Sequence, residues 1–255
     1  MDLKFKSMGS GEPLVILHGF LGTLDNWQTI GRHLAEEYTV FLIDQRNHGK
    51  SPHSTEMNFA AMAEDLKEFL DQQWIFEKLR LIGHSMGGKT AMQFATEYPD
   101  MIHKMVIVDI APKAYVGGHE DILKILSSID LESIESRSEV QKKLEKGIHD
   151  QGTVQFLLKN LNRSTNGELQ WKMNLPVLVN KYDEISREIK FSVPFTNPTL
   201  FIRGSESEYI LDSDLPMIRK QFTHAQFERI EGAGHWVHAD KPEQILQSIR
   251  LFLVG

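Results

Sequence analysis

Short blocks of consecutive apolar residues alternate with stretches in which apolar residues recur every three or four positions. Blocks such as Leu14 to Leu17 and Val40 to Ile43 are typical of strands buried on both faces of a sheet. The stretches between them predict amphipathic helices, one of which places Trp27, Ile30 and Leu34 on a single face. Strict alternation of strand and helix predicts a mostly parallel central sheet with helices on both faces, which is an α/β fold.

The alternation stops after the apolar block Met105 to Val108 and resumes at Thr199 to Ile202. Between these blocks no strand-like run appears, and apolar residues follow helical spacing instead. We therefore predict a core made of residues 1–112 and 196–255. Residues 113–195 are predicted to form a helical cap, inserted over the carboxyl edge of the sheet, where binding groups gather in such folds.

Composition limits the classes of protein to which this chain can belong. The 255 residues are 41% hydrophobic and contain no Gly/Ser-rich or Pro-rich linker, which predicts one globular domain with an insertion. A net charge of −7 disfavours nucleic acid or an anionic membrane surface as a partner. There is no cysteine and no pair of histidines with metal-ligand spacing, so we predict no thiol nucleophile, no metal and no cofactor.

The start of the chain, Met1 to Pro13, mixes acidic and basic residues and lacks the apolar core of a signal peptide. No run approaches the roughly 18 apolar residues of a membrane-spanning helix. The sequence therefore predicts a cytoplasmic protein that does not act at a membrane. It leaves the oligomeric state open.

One turn combines small residues with a serine at the junction of a strand and a helix. Gly83, Gly87 and Gly88 lie two before, two after and three after Ser85. A serine at such a sharp turn has a strained backbone, and only small neighbours let the helix cross close to the strand. We predict that Ser85 is a nucleophile, the alternative being an ordinary glycine-rich turn.

A serine hydroxyl is a poor nucleophile until a neighbouring imidazole takes its proton. His235 is the predicted base, because it follows the last predicted strand on a short Gly-Ala-Gly loop that can reach back over the sheet edge. His84 is adjacent to the serine and is expected to point to the other side. His238 is the alternative base, and His18 is expected to brace the loop after the first strand.

A third group must orient the imidazole and stabilise its charged form. Asp109 is the preferred acid because it ends an apolar strand that points toward the site, and the competing role for it is to brace the following turn. Glu206 is the alternative acid, together with Glu208, after the strand that begins at Thr199. Either choice leaves the chain order serine, acid, histidine.

Acyl transfer also needs two donors for the negative oxygen of the tetrahedral intermediate. The backbone N–H groups of Phe20 and Met86 are the predicted pair, one in the loop after the first strand and one directly after Ser85. Their side chains are candidates for an apolar acyl pocket. Further candidate pocket residues are His18, Leu21, His84 and Trp236.

Five blocks carry a family resemblance: Leu17–Gly22, Asp44–Ser51, Gly83–Lys89, Val108–Pro112 and Gly232–His238. In this order they resemble the α/β-hydrolase superfamily across almost the whole chain, and within it the capped bacterial YbfF-type esterases. The resemblance implies hydrolysis of a small-molecule acyl ester, with acyl-CoA thioesters as a second candidate substrate. It also implies an acyl-enzyme at Ser85, with His235 as the base.

The chain departs from the superfamily pattern at two places. Many members carry the acid in a Gly-x-x-Asp after the strand that here ends at Ile202, but this chain has Gly204-Ser205-Glu206-Ser207, which favours Asp109. A Gly-Gly-Gly after His18, typical of lipases that accept bulky alcohols, is also missing, so crowded esters are not expected as substrates. Two alternative functions remain: hydrolysis of carbon–carbon bonds in diketone-like substrates, and a small-molecule receptor that keeps the triad.

Overall fold

A computed structural model describes residues 1–254 of the chain. Its main element is a seven-stranded sheet, and a separate two-stranded hairpin lies between the fifth and sixth strands of that sheet. The strands of this part of the chain are β1 (Phe5–Met8), β2 (Pro13–Leu17), β3 (Thr39–Ile43), β4 (Leu79–His84), β5 (Ile102–Val108), β6 (Leu161–Arg163), β7 (Leu169–Trp171), β8 (Thr199–Gly204) and β9 (Ala225–Ile230).

The sheet has the order β1-β3-β2-β4-β5-β8-β9, and every neighbouring pair except β1 with β3 is parallel. The helices that connect these strands are α1 (Gln28–Leu34), α2 (Phe59–Gln72), α3 (Met86–Glu97), α4 (Glu120–Ser127), α5 (Arg137–Glu145), α6 (Gln151–Leu158), α7 (Leu175–Asn180), α8 (Tyr182–Ser186), α9 (Leu215–Gln221), α10 (Val237–Asp240) and α11 (Pro242–Val254).

Alternate residues of each central strand pack on opposite faces of the sheet. In β2, Val15 and Leu17 belong to the apolar cluster formed with α2 and α3, whereas Leu14 and Ile16 pack with α1 and α11. Each side chain is at most 1% exposed, and burying such a side chain contributes about 1.5–3 kcal/mol. The predicted mostly parallel sheet with helices on both faces is confirmed.

Residues 113–195, called the cap segment below, contain α4 to α8 and the β6–β7 hairpin. Apolar residues of this segment, such as Leu126 and Val140, continue the cluster on the α2 and α3 face of the sheet. At its end, Phe195 forms a bridge with Phe222 alongside the sheet. The segment therefore shares the apolar cluster of that face and adds no strand to the seven-stranded sheet.

Several elements were not predicted from the sequence. Strand β1 pairs along the sheet edge, and its two middle residues, Lys6 and Ser7, are exposed, so it lacks an apolar block. The hairpin strands β6 and β7 have three residues each and are mostly polar, which leaves too little pattern to detect. Within residues 1–254, no helix is both long and apolar enough to cross a bilayer.

Candidate active site

The turn between β4 and α3 holds Ser85 in an uncommon backbone conformation. Its φ of 51° and ψ of −117° lie outside the regions that non-glycine residues favour, at a cost of about 1–3 kcal/mol. The backbone N–H of Ser85 donates to the carbonyl of Val108 at 3.0 Å, which ties the turn to the end of β5. The neighbouring strand therefore helps to maintain this strained position.

The glycines around Ser85 are required by close backbone packing. A Cβ at Gly83 would collide with the carbonyl oxygen of Gly87, and one at Gly87 with the carbonyl oxygen of Leu17. A Cβ at Gly88 would lie 2.5 Å from the side chain of Ile110. Helix α3 thus crosses directly against β2 and β4, as the glycine spacing predicts.

Three predicted site residues from distant parts of the chain meet above the sheet. The Oγ of Ser85 lies 3.0 Å from Nε2 of His235, and Nδ1 of His235 lies 2.7 Å from Oδ2 of Asp109. Because Nδ1 faces a carboxylate, it carries the ring proton, and Nε2 is left to accept from the serine hydroxyl. The arrangement can pass a proton from the serine to the imidazole.

Asp109 is fully buried at the end of β5, with a positive φ of 52°. Burial raises the pKa of its carboxyl, and hydrogen bonds from the Ser207 hydroxyl and the Gly204 backbone N–H oppose that rise. The resulting pKa is about 7. Those donors favour the charged form of Asp109. Glu206 is exposed, and its backbone N–H donates to the Ala233 carbonyl, so Asp109 is the acidic residue beside the imidazole.

His235 is held from two sides besides its contact with Asp109. Tyr209 stacks on the imidazole with ring centroids 3.8 Å apart, and Nε2 of His84 donates to the His235 backbone carbonyl at 2.9 Å. Burial lowers the pKa of His235 to about 3. The imidazole is therefore neutral near pH 7, which is the form that can accept a proton.

The loop after β2 approaches the serine closely. A Cβ at Gly19 would lie 2.7 Å from Nδ1 of His84 and 3.3 Å from Cβ of Ser85, so a side chain there would displace the site. Among residues 1–254, the backbone N–H groups of Phe20 and Met86 donate to no protein acceptor. Both groups therefore remain available to a bound molecule.

The same loop is fixed by hydrogen bonds to Leu21, whose φ of 57° is again positive. Its N–H donates to Nε2 of His48 at 3.2 Å, and its carbonyl accepts from the side-chain amide of Asn160 at 2.5 Å. His48 belongs to the polar loop after β3, whereas Asn160 belongs to the cap segment. Core and cap segment thus both contact this loop.

Within residues 1–254, two other predicted histidines make no hydrogen bond to Ser85 Oγ. His18 braces the loop as expected, donating to the Gly19 carbonyl at 2.8 Å and accepting from the Gln45 N–H at 3.0 Å. It lines neither cavity beside the serine, which corrects its inclusion among the candidate pocket residues. His238, the alternative base, lies in α10 and stacks on Trp27 with centroids 4.5 Å apart.

Two cavities meet at Ser85 and share Phe20, His119 and Tyr209 as walls. The first, of about 190 Å³, is lined by His235 and by the predicted pocket residues Leu21, His84 and Trp236. The second, of about 240 Å³, is lined by Met86, Lys89, Ile110, Tyr115, Tyr182 and Ile185. Both contain residues of the cap segment.

Sequence reasoning missed three residues that complete the site. The hydroxyl of Ser207 donates to the carboxylate of Asp109. Ser207 lies three residues after Gly204, at the position where many superfamily members carry the acid, and this position was the signal that could have identified it. His119 and Tyr209 lie in segments without periodicity, so nothing in the sequence marked them. Within the described residues, no three His, Asp or Glu side chains are grouped as metal ligands.

A strained serine at a strand-to-helix junction, contacting a histidine that contacts a buried carboxylate, defines the α/β class of hydrolases. A family model described as the alpha/beta hydrolase fold matches residues 12–242. The chain therefore belongs to the α/β-hydrolase family.

Within that family the chain is similar to bacterial esterases. It is 38% identical to Esterase YbfF of Escherichia coli (strain K12) over 96% of this chain and 94% of that protein. It is also 38% identical to the sn-1-specific diacylglycerol lipase ABHD11 of Danio rerio, over 98% of this chain and 80% of that protein. The solved structure of a marine microorganism esterase matches with a TM-score of 0.96 and 41% identity, covering 98% of both chains.

Proposed function

We propose that this protein is a serine hydrolase that cleaves carboxylic esters of short to medium acyl groups through an acyl-enzyme at Ser85. The observation that carries the proposal is the unbroken line of contacts from Asp109 through His235 to Ser85. Such a line is what a serine hydroxyl needs to become nucleophilic near neutral pH. Similarity to bacterial esterases supports esters as the substrate class.

In the first step, Ser85 Oγ attacks the ester carbonyl carbon while His235 Nε2 takes the hydroxyl proton. The carbonyl oxygen becomes negative in the tetrahedral intermediate, and the free backbone N–H groups of Phe20 and Met86 donate to it. When the intermediate collapses, His235 gives its proton to the leaving oxygen. The alcohol departs, and the acyl group remains bound to Ser85.

In the second step, water replaces the alcohol. His235 accepts a proton from the water as it attacks the acyl carbon, and then returns a proton to Ser85 Oγ when the carboxylic acid leaves. Asp109 stays ionised throughout and stabilises the positively charged imidazole of each intermediate. Ser207 and the Gly204 N–H support that ionised state by donating to the carboxylate.

Because His235 must give its proton to the leaving oxygen, its position indicates which cavity binds which half of the ester. The leaving oxygen must lie beside His235, which lines the first cavity, so the alcohol half belongs there. The acyl half then occupies the second cavity, beside Met86 and Ile110. A volume of about 240 Å³ is consistent with short to medium acyl groups. Acyl thioesters fit the same assignment and form the second candidate substrate.

Residues 113–195 are proposed to act as a cap domain on a core of residues 1–112 and 196–255. Its residues His119 and Tyr182 line the acyl cavity, and His119 with Phe156 lines the alcohol cavity. Substrate selection would therefore depend on this segment, whereas the nucleophile, base and acid all come from the core.

The decisive experiment is labelling with a small organophosphonate, which reacts with activated serines. The wild-type protein should gain one phosphonyl group on the peptide that contains Ser85, and Ser85→Ala should gain none. Ser248→Ala, which removes a half-buried serine of α11, is the matched control and should label as the wild type does. Labelling of Ser85→Ala at any residue would contradict the assignment.

Substrate class is tested with nitrophenyl esters, acyl thioesters and a diketone-like substrate of equal acyl length. Turnover of the esters, and its loss in Ser85→Ala, is the expected result. Turnover of the diketone alone would replace the proposal with carbon–carbon bond hydrolysis. Labelling without turnover of any substrate would favour a receptor that retains the triad.

A further inference from the structure

Lys89 is a buried lysine one helical turn after the proposed nucleophile. Its backbone N–H donates to the carbonyl of Ser85 at 3.1 Å, and the whole residue is only 1% exposed. Removing an ammonium from water costs several kcal/mol unless its hydrogens find acceptors. Burial accordingly lowers the pKa of Lys89 to about 7. An apolar side chain at this position would avoid that cost.

The ammonium finds its acceptors at both ends of the cap segment. Nζ of Lys89 donates to the carbonyl of Lys113 at 2.8 Å, where the segment begins, and to the carbonyl of Ser186 at 3.2 Å. It also donates to the carbonyl of Arg187, just beyond α8. An ammonium has three hydrogens, and all three acceptors are backbone oxygens. One side chain of the core thus binds together two stretches near the ends of the cap segment, residues 113–118 and 182–189, called the hinge segments below.

The same contacts shape the second cavity. Lys89, Tyr115 and Ser186 all line it, and the N–H of Tyr115 donates to the carbonyl of Ser186 at 2.9 Å. The ring of Tyr115 lies 4.8 Å from Nζ of Lys89. Separation of the two hinge segments would therefore move a wall of this cavity, while Ser85 and His235 would keep their places in the core.

We propose that Lys89 is a positioning residue that holds both hinge segments against helix α3 and thereby sets which acyl groups the second cavity accepts. This inference rests on the proposed function only in placing the acyl half of the substrate in that cavity. The role is specific to the cap, because Lys89 contacts neither Asp109 nor His235.

The test compares Lys89→Met with Lys104→Met. Lys104 is the matched control, because it is also a buried lysine (9% exposed), and it donates to the carbonyls of Phe252 and Leu253 at 2.9 and 3.0 Å, outside both cavities. Each variant keeps the four-atom length of the lysine carbon chain and loses the N–H donors of the ammonium. The kcat and KM values are measured for nitrophenyl acetate and nitrophenyl hexanoate.

In Lys89→Met, the ratio of kcat/KM for hexanoate over acetate is expected to fall about tenfold, mainly through the KM of the hexanoate, as expected when a hydrophobic pocket loses its fit. Lys104→Met should keep the wild-type ratio even if its melting temperature falls. An equal loss on both esters in Lys89→Met would show a purely structural role and overturn the proposal.

Hydrogen exchange separates this inference from the proposed function. Lys89→Met should exchange faster than wild type over residues 113–118 and 182–189, and Lys104→Met should not. Unchanged exchange in both hinge segments would also overturn the proposal, even in a protein that turns over no ester. Should Lys89→Met fail to fold, Lys89→Gln keeps two of the donors and should show the same changes at smaller size.

Discussion

Nε2 of His84 donates a hydrogen bond to the backbone carbonyl of His235 at 2.9 Å, so the residue before the serine holds the loop that carries the imidazole. The two rings lie 4.9 Å apart. The sequence places His84 beside Ser85 and excludes it as a base, but it does not show this contact. His84 acts on the base rather than replacing it.

Loss of this contact is expected to slow turnover. In His84→Phe the ring volume is kept and the donor is lost, so the His235 loop gains freedom and kcat should fall roughly 10- to 100-fold, because a misplacement of about 1 Å can cost that much. Steady-state kinetics on a nitrophenyl ester measure the effect. His33→Phe, at an exposed position of α1, is the control. A wild-type kcat in His84→Phe would show that the loop needs no such support.

Asp109→Asn should lower kcat by about 10³- to 10⁴-fold, because an amide no longer favours the Nδ1–H form of His235 or stabilises its charge. Glu206→Gln serves as the matched control and should remain within about twofold of the wild type, since Glu206 is exposed and away from the imidazole. The reverse pattern would move the acid to Glu206.

Ser207→Ala should shift the pH dependence of kcat/KM. Burial raises the pKa of Asp109 to about 7, and the Ser207 hydroxyl lowers it, so removing the hydroxyl raises this pKa further. Activity needs the ionised carboxylate, and it is therefore lost as pH falls through the pKa. The acidic limb of the profile should start near pH 7 in the wild type and move to higher pH in the variant. A limb that stays in place, or moves to lower pH, would contradict this role for Ser207.

Stability should fall sharply in mild acid because the fold keeps several histidines neutral, among them His119 and His235, whose pKa values burial lowers to about 4 and about 3. Burial lowers the pKa of His18 to about 4 and of His48 to about 3, and holds those of His84 and His238 well below 6.5. Below pH 6.5 the unfolded chain therefore binds more protons than the folded chain, so the stability present above pH 6.5 is lost as the pH decreases.

The raised pKa of Asp109 acts in the opposite direction with a single proton between about 3.8 and about 7. The histidines outweigh this effect, and the free energy of unfolding should fall by several kcal/mol between pH 7 and pH 5.5, with about 1 kcal/mol from each histidine. Urea denaturation at the two pH values measures it. His33→Gln, an exposed histidine, should leave the difference unchanged. Equal stability at both values would mean that these rings are protonated in the fold.

The fold could be predicted because its parts have local signals. Short apolar blocks mark β2, β3, β5 and β8, and an apolar run interrupted by Arg80 marks β4. Helical spacing marks α2 and α11, so the order of elements predicts a parallel sheet. Ser85, Asp109 and His235 could be selected for a related reason. Each stands at or just beyond the carboxyl end of a strand, and those ends share one edge.

The remaining features depend on contacts between distant segments. Tyr209 is found only by its stacking on His235, and Ser207 only by its bond to Asp109. Helical spacing in the cap segment predicts helices but not their placement, and so it gives no indication that His119 lines the cavities beside the serine. The proposed role of Lys89 depends on the carbonyl of Lys113 and on those of Ser186 and Arg187, which most of the cap segment separates from it.

The hydrogen bond from the side-chain amide of Asn160 to the carbonyl of Leu21 joins the cap segment to the loop after β2. Leu21 directly follows Phe20, whose N–H is proposed to receive the negative oxygen. The position of that N–H therefore depends on a residue of the segment that also lines both cavities, so a change in the packing of the segment would reach the reaction even where Ser85, His235 and Asp109 stay in place.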